Sequence, residues 1–194
     1  MPVVIDVVGT VESEHTVAVR PLVGGTLTAV NFKEGDYVRQ GQVLFRIDAR
    51  PMQASVAQTQ AAVARDEAQL SQARAQEQRL KPLADKEYIT RQEFDVAATQ
   101  TKSLEATVMA NKAVVEAAQL QLSYAQITAP IAGRTGSLTA KSGNVVAVGA
   151  ATVPLVQINS TKPILVAFSV PQRSLDEIRA IYGKRELKVE ISPN

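Results

Sequence analysis

The sequence predicts an elongated, modular α+β chain: a long antiparallel helical hairpin inserted between two halves of one small β-domain, with part of a further β-rich module at the two ends. Three observations carry this. The stretch from Arg50 to Tyr124 is rich in Ala and Gln, lacks Gly, and sets apolar residues at heptad spacing in two runs with a break near Asp85 to Ile89. That is the pattern of two packed helices joined by a tight turn. The flanks of this stretch repeat each other, and beyond Asn159 the pattern changes to alternation with one short amphipathic segment.

The repeat is specific. P-L-V-G (Pro21 to Gly24), K-E-G-D-Y-V (Lys33 to Val38), Gly41 and L-F-R-I-D (Leu44 to Asp48) precede the hairpin; P-I-A-G (Pro130 to Gly133), K-S-G-N-V-V (Lys141 to Val146), Gly149 and L-V-Q-I-N (Leu155 to Asn159) follow it. The offset is 109 residues from Pro21 to Pro130, 108 from Gly35 to Gly143 and 111 from Ile47 to Ile158, so a small insertion is expected around Ala151. Gly24, Gly35, Gly41, Gly133, Gly143 and Gly149 are the expected turn positions, with β-branched residues between them as short strands. Neither copy is long enough to bury a core by itself, which predicts that the two pack as one β-domain over residues 16–48 and 127–159.

Taken in order, Val3 to Glu12 is a β-branched run broken at Gly9, and His15 to Val19 continues in extended character, crossing from one β-module into the next. His15 is the only histidine and has no ligand partner at metal spacing, so it reads as a surface residue. Asp48 is the expected N-cap of the first helix, with Pro51 in its first turn.

The hairpin is expected over residues 49–126, with helix one at about 49–84 and helix two at about 90–124. Its seam runs Met52, Val56, Thr59, Val63, Asp66, Leu70, Ala73, Glu77, Leu80 on helix one and Phe94, Ala97, Thr101, Leu104, Val108, Asn111, Val115, Ala118, Leu122 on helix two. Ala, Thr, Asp and Glu in a seam bury little apolar surface, so the rod leans on the helix propensity of Ala and Gln. A second stripe of small residues, Ala54, Ala57, Ala61, Ala64 and Ala68, with Ala106, Ala110, Ala113 and Ala117, is a candidate surface for side-by-side packing of neighbouring hairpins; it is equally what good helix formers on an exposed face look like.

At the turn, Thr90-Arg91-Gln92-Glu93 is a capping box, and Ile89 with Phe94 has the spacing of a hydrophobic staple. Pro82 is expected to kink or stop helix one. Leu83, beside Tyr88 and Ile89, makes a small sticky end that nothing else in the chain can cover. Beyond Asn159, Pro163 to Val170 and Glu186 to Ile191 read as strands around a short helix that opens with a capping box at Ser174 to Glu177 and stops at Gly183.

Composition excludes several functions. Lys and Arg number 21 against 19 Asp and Glu, and they are scattered, which is not the clustered basic face that nucleic acid demands. With no Cys there are neither disulfides nor thiolate metal sites. No apolar run reaches membrane-spanning length; Val145 to Ile158 is broken by Gly149 and Pro154. No signal peptide is legible before Val3, so the chain reads as starting downstream of any targeting segment, and the abrupt stop at Asn194 reads as a protein that continues. No nucleophile, histidine base or paired carboxylates are arranged for catalysis; Asp66-Glu67 and Asp176-Glu177 are neighbours facing different ways and are expected to be solvated. The chain is expected to be no enzyme and to hold no cofactor and no metal.

The stretches Pro21 to Gly25 and Val30 to Asp48, I-T-A-P-I-A-G-R-T-G (Ile127 to Gly136), G-N-V-V (Gly143 to Val146) and P-I-L-V-A-F-S-V-P (Pro163 to Pro171) resemble the periplasmic adaptor (membrane fusion) proteins of Gram-negative tripartite efflux pumps, the family of AcrA, MexA and MdtA. The resemblance covers nearly the whole chain. It implies a lipoyl-like (biotinyl/lipoyl) β-domain made of the two halves, and a partial β-barrel domain over 1–15 and 160–194. It also implies that Arg79, Leu83 and Thr90 at the hairpin tip dock on the outer-membrane channel, with Thr90 where the family carries Ser. By the same resemblance the partners are an inner-membrane transporter of the resistance-nodulation-division (RND) type, a TolC-like outer-membrane channel, and further copies of the chain in a hexameric tube, the whole in the periplasm at the inner membrane. Adaptors of ABC-type or heavy-metal exporters remain alternatives within the family. A lipoyl or biotinyl carrier is the alternative from another class, although no M-K-M or D-K-A carrier sequence occurs.

Overall fold

The computed structural model describes residues 7–149, 153–172, 175, 178–179 and 189–190. In chain order the elements are β1 (Gly9–Ser13), β2 (Thr16–Val19), β3 (Gly25–Val30), β4 (Tyr37–Val38), β5 (Val43–Ile47), α1 (Arg50–Asp85), α2 (Arg91–Ser123), β6 (Gln126–Thr128), β7 (Gly133–Thr135), β8 (Val145–Val146), β9 (Val156–Asn159) and β10 (Ile164–Phe168). Among the described residues no helix is long and apolar enough to cross a membrane. The expected insertion at Ala151 and most of the segment from Ser174 to Ile191 lie outside the described residues.

The two repeated halves interleave. One four-stranded sheet has the order β2-β9-β7-β4 and the other β6-β5-β3-β8, so each sheet takes two strands from either side of the hairpin. The two orders are the same under exchange of the halves, and the backbone bonds follow. Gly35 N–H donates to the Thr135 carbonyl (3.0 Å), and its counterpart Gly143 N–H donates to Leu27 (2.8 Å); Thr135 N–H reaches Asp36 and Leu27 N–H reaches Asn144, both at 2.9 Å. Gly35 (φ 82°) and Gly143 (φ 93°) make these crossings in the left-handed region, where a side chain would be strained. The core between the sheets is apolar and shared: Leu27, Val38, Leu44 and Phe45 come from one half, Val146, Val156 and Ile158 from the other. Phe32 meets Phe45 edge to face, with ring centroids 5.3 Å apart.

Two of the expected turn glycines have another role. Gly133 lies buried inside β7, where a Cβ would sit 2.3 Å from the Asn159 carbonyl oxygen; it permits close approach of β7 to β9 rather than a turn. Gly24 has already left the bend before it and faces the Val146 carbonyl, which a Cβ would meet at 3.3 Å; the positive φ falls on its neighbour Gly25 (153°). Gly41 is left-handed (φ 80°), and Gly149 lies in a bend.

α1 and α2 leave the β-domain from adjacent strand ends. Ile47 N–H donates to the Ala125 carbonyl (2.8 Å) and Asp48 N–H to Thr26 (2.9 Å), which clamps both feet of the hairpin. The expected cap at Asp48 is displaced by one residue: Ala49 occupies the N-cap position with helical φ and ψ and no side-chain bond. Asp48 instead accepts the Arg50 N–H (3.1 Å) and the Arg50 guanidinium (2.6 Å). That guanidinium holds the Asp48 carboxyl down at about 2. Pro51 occupies the first turn, where a missing N–H leaves no bond unmade.

Every predicted seam residue is buried or half-buried, with Val56, Val63 and Leu70 facing Val108 and Ala118 across the hairpin. Asp66 is not solvated as its acidic neighbourhood suggested. It is 2% exposed and bonded to the Asn111 amide of the other helix and to Arg65 (2.8 Å). Glu67–Lys112 and Arg74–Glu105, both at 2.7 Å, bridge the helices along one flank in the same antiparallel register. α1 runs on through Pro82 to Asp85. The proline falls in the last turn, and the carbonyl it orphans, on exposed Gln78, is open to water.

Among the described residues the flanking module is a two-stranded ribbon. β1 pairs with β10 antiparallel from Gly9↔Phe168 to Ser13↔Ile164, joining the two ends of the described chain.

Candidate functional site

The tip of the hairpin is built by two different helix endings only five residues apart. α1 closes with a Schellman ending: Glu87 N–H donates to Ala84 (3.0 Å), Tyr88 N–H donates to Leu83 (2.8 Å), and Glu87 takes the left-handed conformation (φ 59°) usually left to glycine. α2 opens with the predicted capping box. Thr90 Oγ1 accepts the Glu93 N–H (3.3 Å) and donates to the Glu93 carboxylate (3.2 Å), which in turn accepts the Thr90 N–H (3.0 Å). Ile89 and Phe94, at staple spacing around this cap, are both half-buried.

The structure places Arg79, Leu83 and Thr90 within the last turns around this tip, all three exposed. Arg79 donates to the Gln76 amide oxygen (2.7 Å). Leu83 keeps 40% of its surface in water and Tyr88 75%. Capping and staple signals are local, so the sequence located the turn. The Schellman ending was not foreseen because it has no glycine to mark it; Glu87 stands in that place.

The alanines of the second stripe, Ala54, Ala57, Ala61, Ala64 and Ala68 on α1 and Ala106, Ala110, Ala113 and Ala117 on α2, are exposed throughout. At 100° per residue they fall on the sides of the two helices turned away from the seam. Among the described residues no group of three or more His, Cys, Asp or Glu could hold a metal ion. The buried charge of the hairpin is Asp66, whose carboxyl is held below its ordinary range first by the Arg65 guanidinium and then by the Asn111 amide.

The chain was compared with known proteins. It is 38% identical over 178 residues to the multidrug resistance protein MdtA of Proteus mirabilis, covering 92% of this chain and 43% of that protein. It is 39% identical over 178 residues to MdtA of Pectobacterium carotovorum, with the same coverage. The chain thus spans about two-fifths of the length of these curated relatives. Among solved structures, a MacA-MexA chimera carrying the Pseudomonas aeruginosa MexA α-hairpin domain superimposes with a TM-score of 0.61 at 26% identity, over 87% of this chain and 56% of that one. The membrane fusion protein Spr0693 of Streptococcus pneumoniae shares the fold, with a TM-score of 0.66 at 19% identity over 81% of this chain and 66% of that one. Residues 15–158, from the start of the first half to the last strand of the second, match the family described as RND MFP, barrel-sandwich hybrid domain, and the chain belongs to that family of membrane fusion proteins.

Proposed function

We propose that this chain is the hairpin-bearing part of a periplasmic adaptor of a tripartite multidrug efflux pump, standing between an inner-membrane RND transporter and a TolC-type outer-membrane channel. The observation that carries the reading is the rod itself. Two helices of 36 and 33 residues leave one small β-domain from adjacent strand ends, and at ~1.5 Å per residue their free end stands on the order of 50 Å away. A part so shaped bridges a distance and offers no enclosed site for chemistry. MdtA of Proteus mirabilis is named for multidrug resistance, which supports that cargo here.

In this reading residues 16–48 and 127–159 form the lipoyl-like domain, 49–126 the hairpin, and 1–15 with 160–194 part of a β-barrel nearer the inner membrane. Six hairpins line up as a tube, with the alanine faces opposite the seam meeting between neighbours, where small side chains let helices approach closely. Arg79 and Leu83 meet the channel, and Thr90, first expected to dock with them, stands beside them as the cap of α2. The test is Leu83→Ser in the full-length protein: pump-dependent resistance is expected to be lost at normal expression, and undiminished resistance rejects the assignment of the tip. Ala61→Gln is expected to weaken self-association; unchanged sedimentation removes the alanine faces from the interface.

A further inference from the structure

One large side chain at the tip is absorbed by neither the seam nor the caps. Tyr88 is 75% exposed, and its phenol has no hydrogen-bond partner among the described residues. Its backbone is fixed all the same. The bond from Tyr88 N–H to the Leu83 carbonyl (2.8 Å) is the closing bond of the Schellman ending, and the two residues it joins are the pair that commonly share an apolar contact there. Glu87 adopts the left-handed conformation (φ 59°), which a residue with a side chain adopts only at a cost, and by doing so turns the chain so that Tyr88 follows directly on the corner.

Thr90 is in the opposite condition. Its N–H and its hydroxyl proton both go to the Glu93 carboxylate, its Oγ1 accepts from Glu93 N–H, and its carbonyl accepts from Glu93 and Phe94. It has no proton left to offer a partner. Charge gives no long-range steering either, since the four basic and four acidic side chains between Arg79 and Asp95 cancel. A tip of zero net charge with an exposed aliphatic and an exposed aromatic side chain suits a neutral protein notch and not an anionic surface such as lipid headgroups.

Resting on the adaptor reading above, we propose that Tyr88 is the second anchor of the tip, entering the end of the outer-membrane channel beside Leu83, and that Thr90 is a positioning residue that caps α2. The experiment measures binding of the full-length protein to the TolC-type channel of the same cell in nanodiscs, with amide exchange over residues 84–94 followed in parallel. Tyr88→Ala and Tyr88→Arg are each expected to weaken binding at least tenfold with exchange unchanged. Thr90→Asn, which keeps a good cap and removes the hydroxyl, is expected to bind within twofold of the wild type.

Wild-type binding by both Tyr88 variants overturns the proposal, as does a tenfold loss in Thr90→Asn with the cap still protected. Loss of a wild-type self-associated species in Tyr88→Ala would make Tyr88 a contact between copies and overturn it too. Leu83→Ser separates the two readings: if it binds as the wild type does, the adaptor docking itself fails, whereas weak binding there with normal binding by the Tyr88 variants removes Tyr88 alone.

Discussion

The β-domain and the hairpin are both antiparallel, yet they exclude water with different side chains. In the β-domain the best-covered residues are Val38, Leu44, Phe45 and Ile158, each at 0% exposure. In the hairpin they are polar, Asp66 at 2% and Thr101 at 4%, while its best-covered apolar residue, Val108, keeps 6%. The first region is specified by volume, since close-packed apolar side chains tolerate neither voids nor excess. The second is specified by pairing. Arg65 satisfies one oxygen of Asp66 from the same helix, but the other is satisfied across the seam only where Asn111 stands opposite, so a slip of one helix along the other would leave that oxygen facing Leu, Ala or Thr. A rod that must hold its tip at a fixed distance gains from register more than from depth of burial.

The comparison breaks most visibly at Phe45. Phe45→Ala removes the centre of the apolar core and its contact with Phe32, and should cost about 3–5 kcal/mol; urea unfolding followed by circular dichroism should show the midpoint falling sharply. A shift no larger than that of a surface substitution would deny the β-domain its dependence on volume. Gly133→Ala tests the same region from the side of excess, because the new methyl meets the Asn159 carbonyl at 2.3 Å. Prising β7 from β9 should cost about 1–3 kcal/mol, and faster amide exchange at Gly136, whose N–H donates to the Gln157 carbonyl of β9 (2.8 Å), would report it.

The smallest effect is on the hairpin and is sharpened by pH. The Asp66 carboxyl titrates below its unfolded value of about 3.9. Its contribution is therefore complete above roughly pH 4 and is lost as the pH falls through the lower folded value. Helix signal should soften on acidification below pH 4 in the wild type and less so in Asp66→Asn. Equal acid profiles for the two would remove Asp66 from the account of the hairpin.

The same contrast explains what could be seen in advance. The seam was legible residue by residue because a heptad pattern is local, and the tip because Thr90 and Glu93 stand three apart. The duplicated half was legible from Gly35 and Gly143 together with the strings around them. Which strand pairs with which was not, since that choice depends on contacts such as Tyr37↔Arg134 and Val43↔Thr128 that join residues 97 and 85 apart in sequence. The role of Gly133 was hidden for the same reason: the atom that forbids a side chain there belongs to Asn159. Asp66 and Asn111 were each placed in the seam, Asp66 as a weak point, because nothing in a single helix says that the two will meet.

The exchange of halves that relates the two sheets also relates what grows out of them. The hairpin springs from the paired ends of β5 and β6, and the ribbon of β1 and β10 springs from the paired ends of β9 and β2, the corresponding position in the other sheet. The domain therefore behaves as a hub with two equivalent sockets, one loaded with a helical arm and one with a β arm. Whole heptads could be spliced into the helical arm to change its reach without disturbing either socket, so overall span and hub geometry are free to diverge independently.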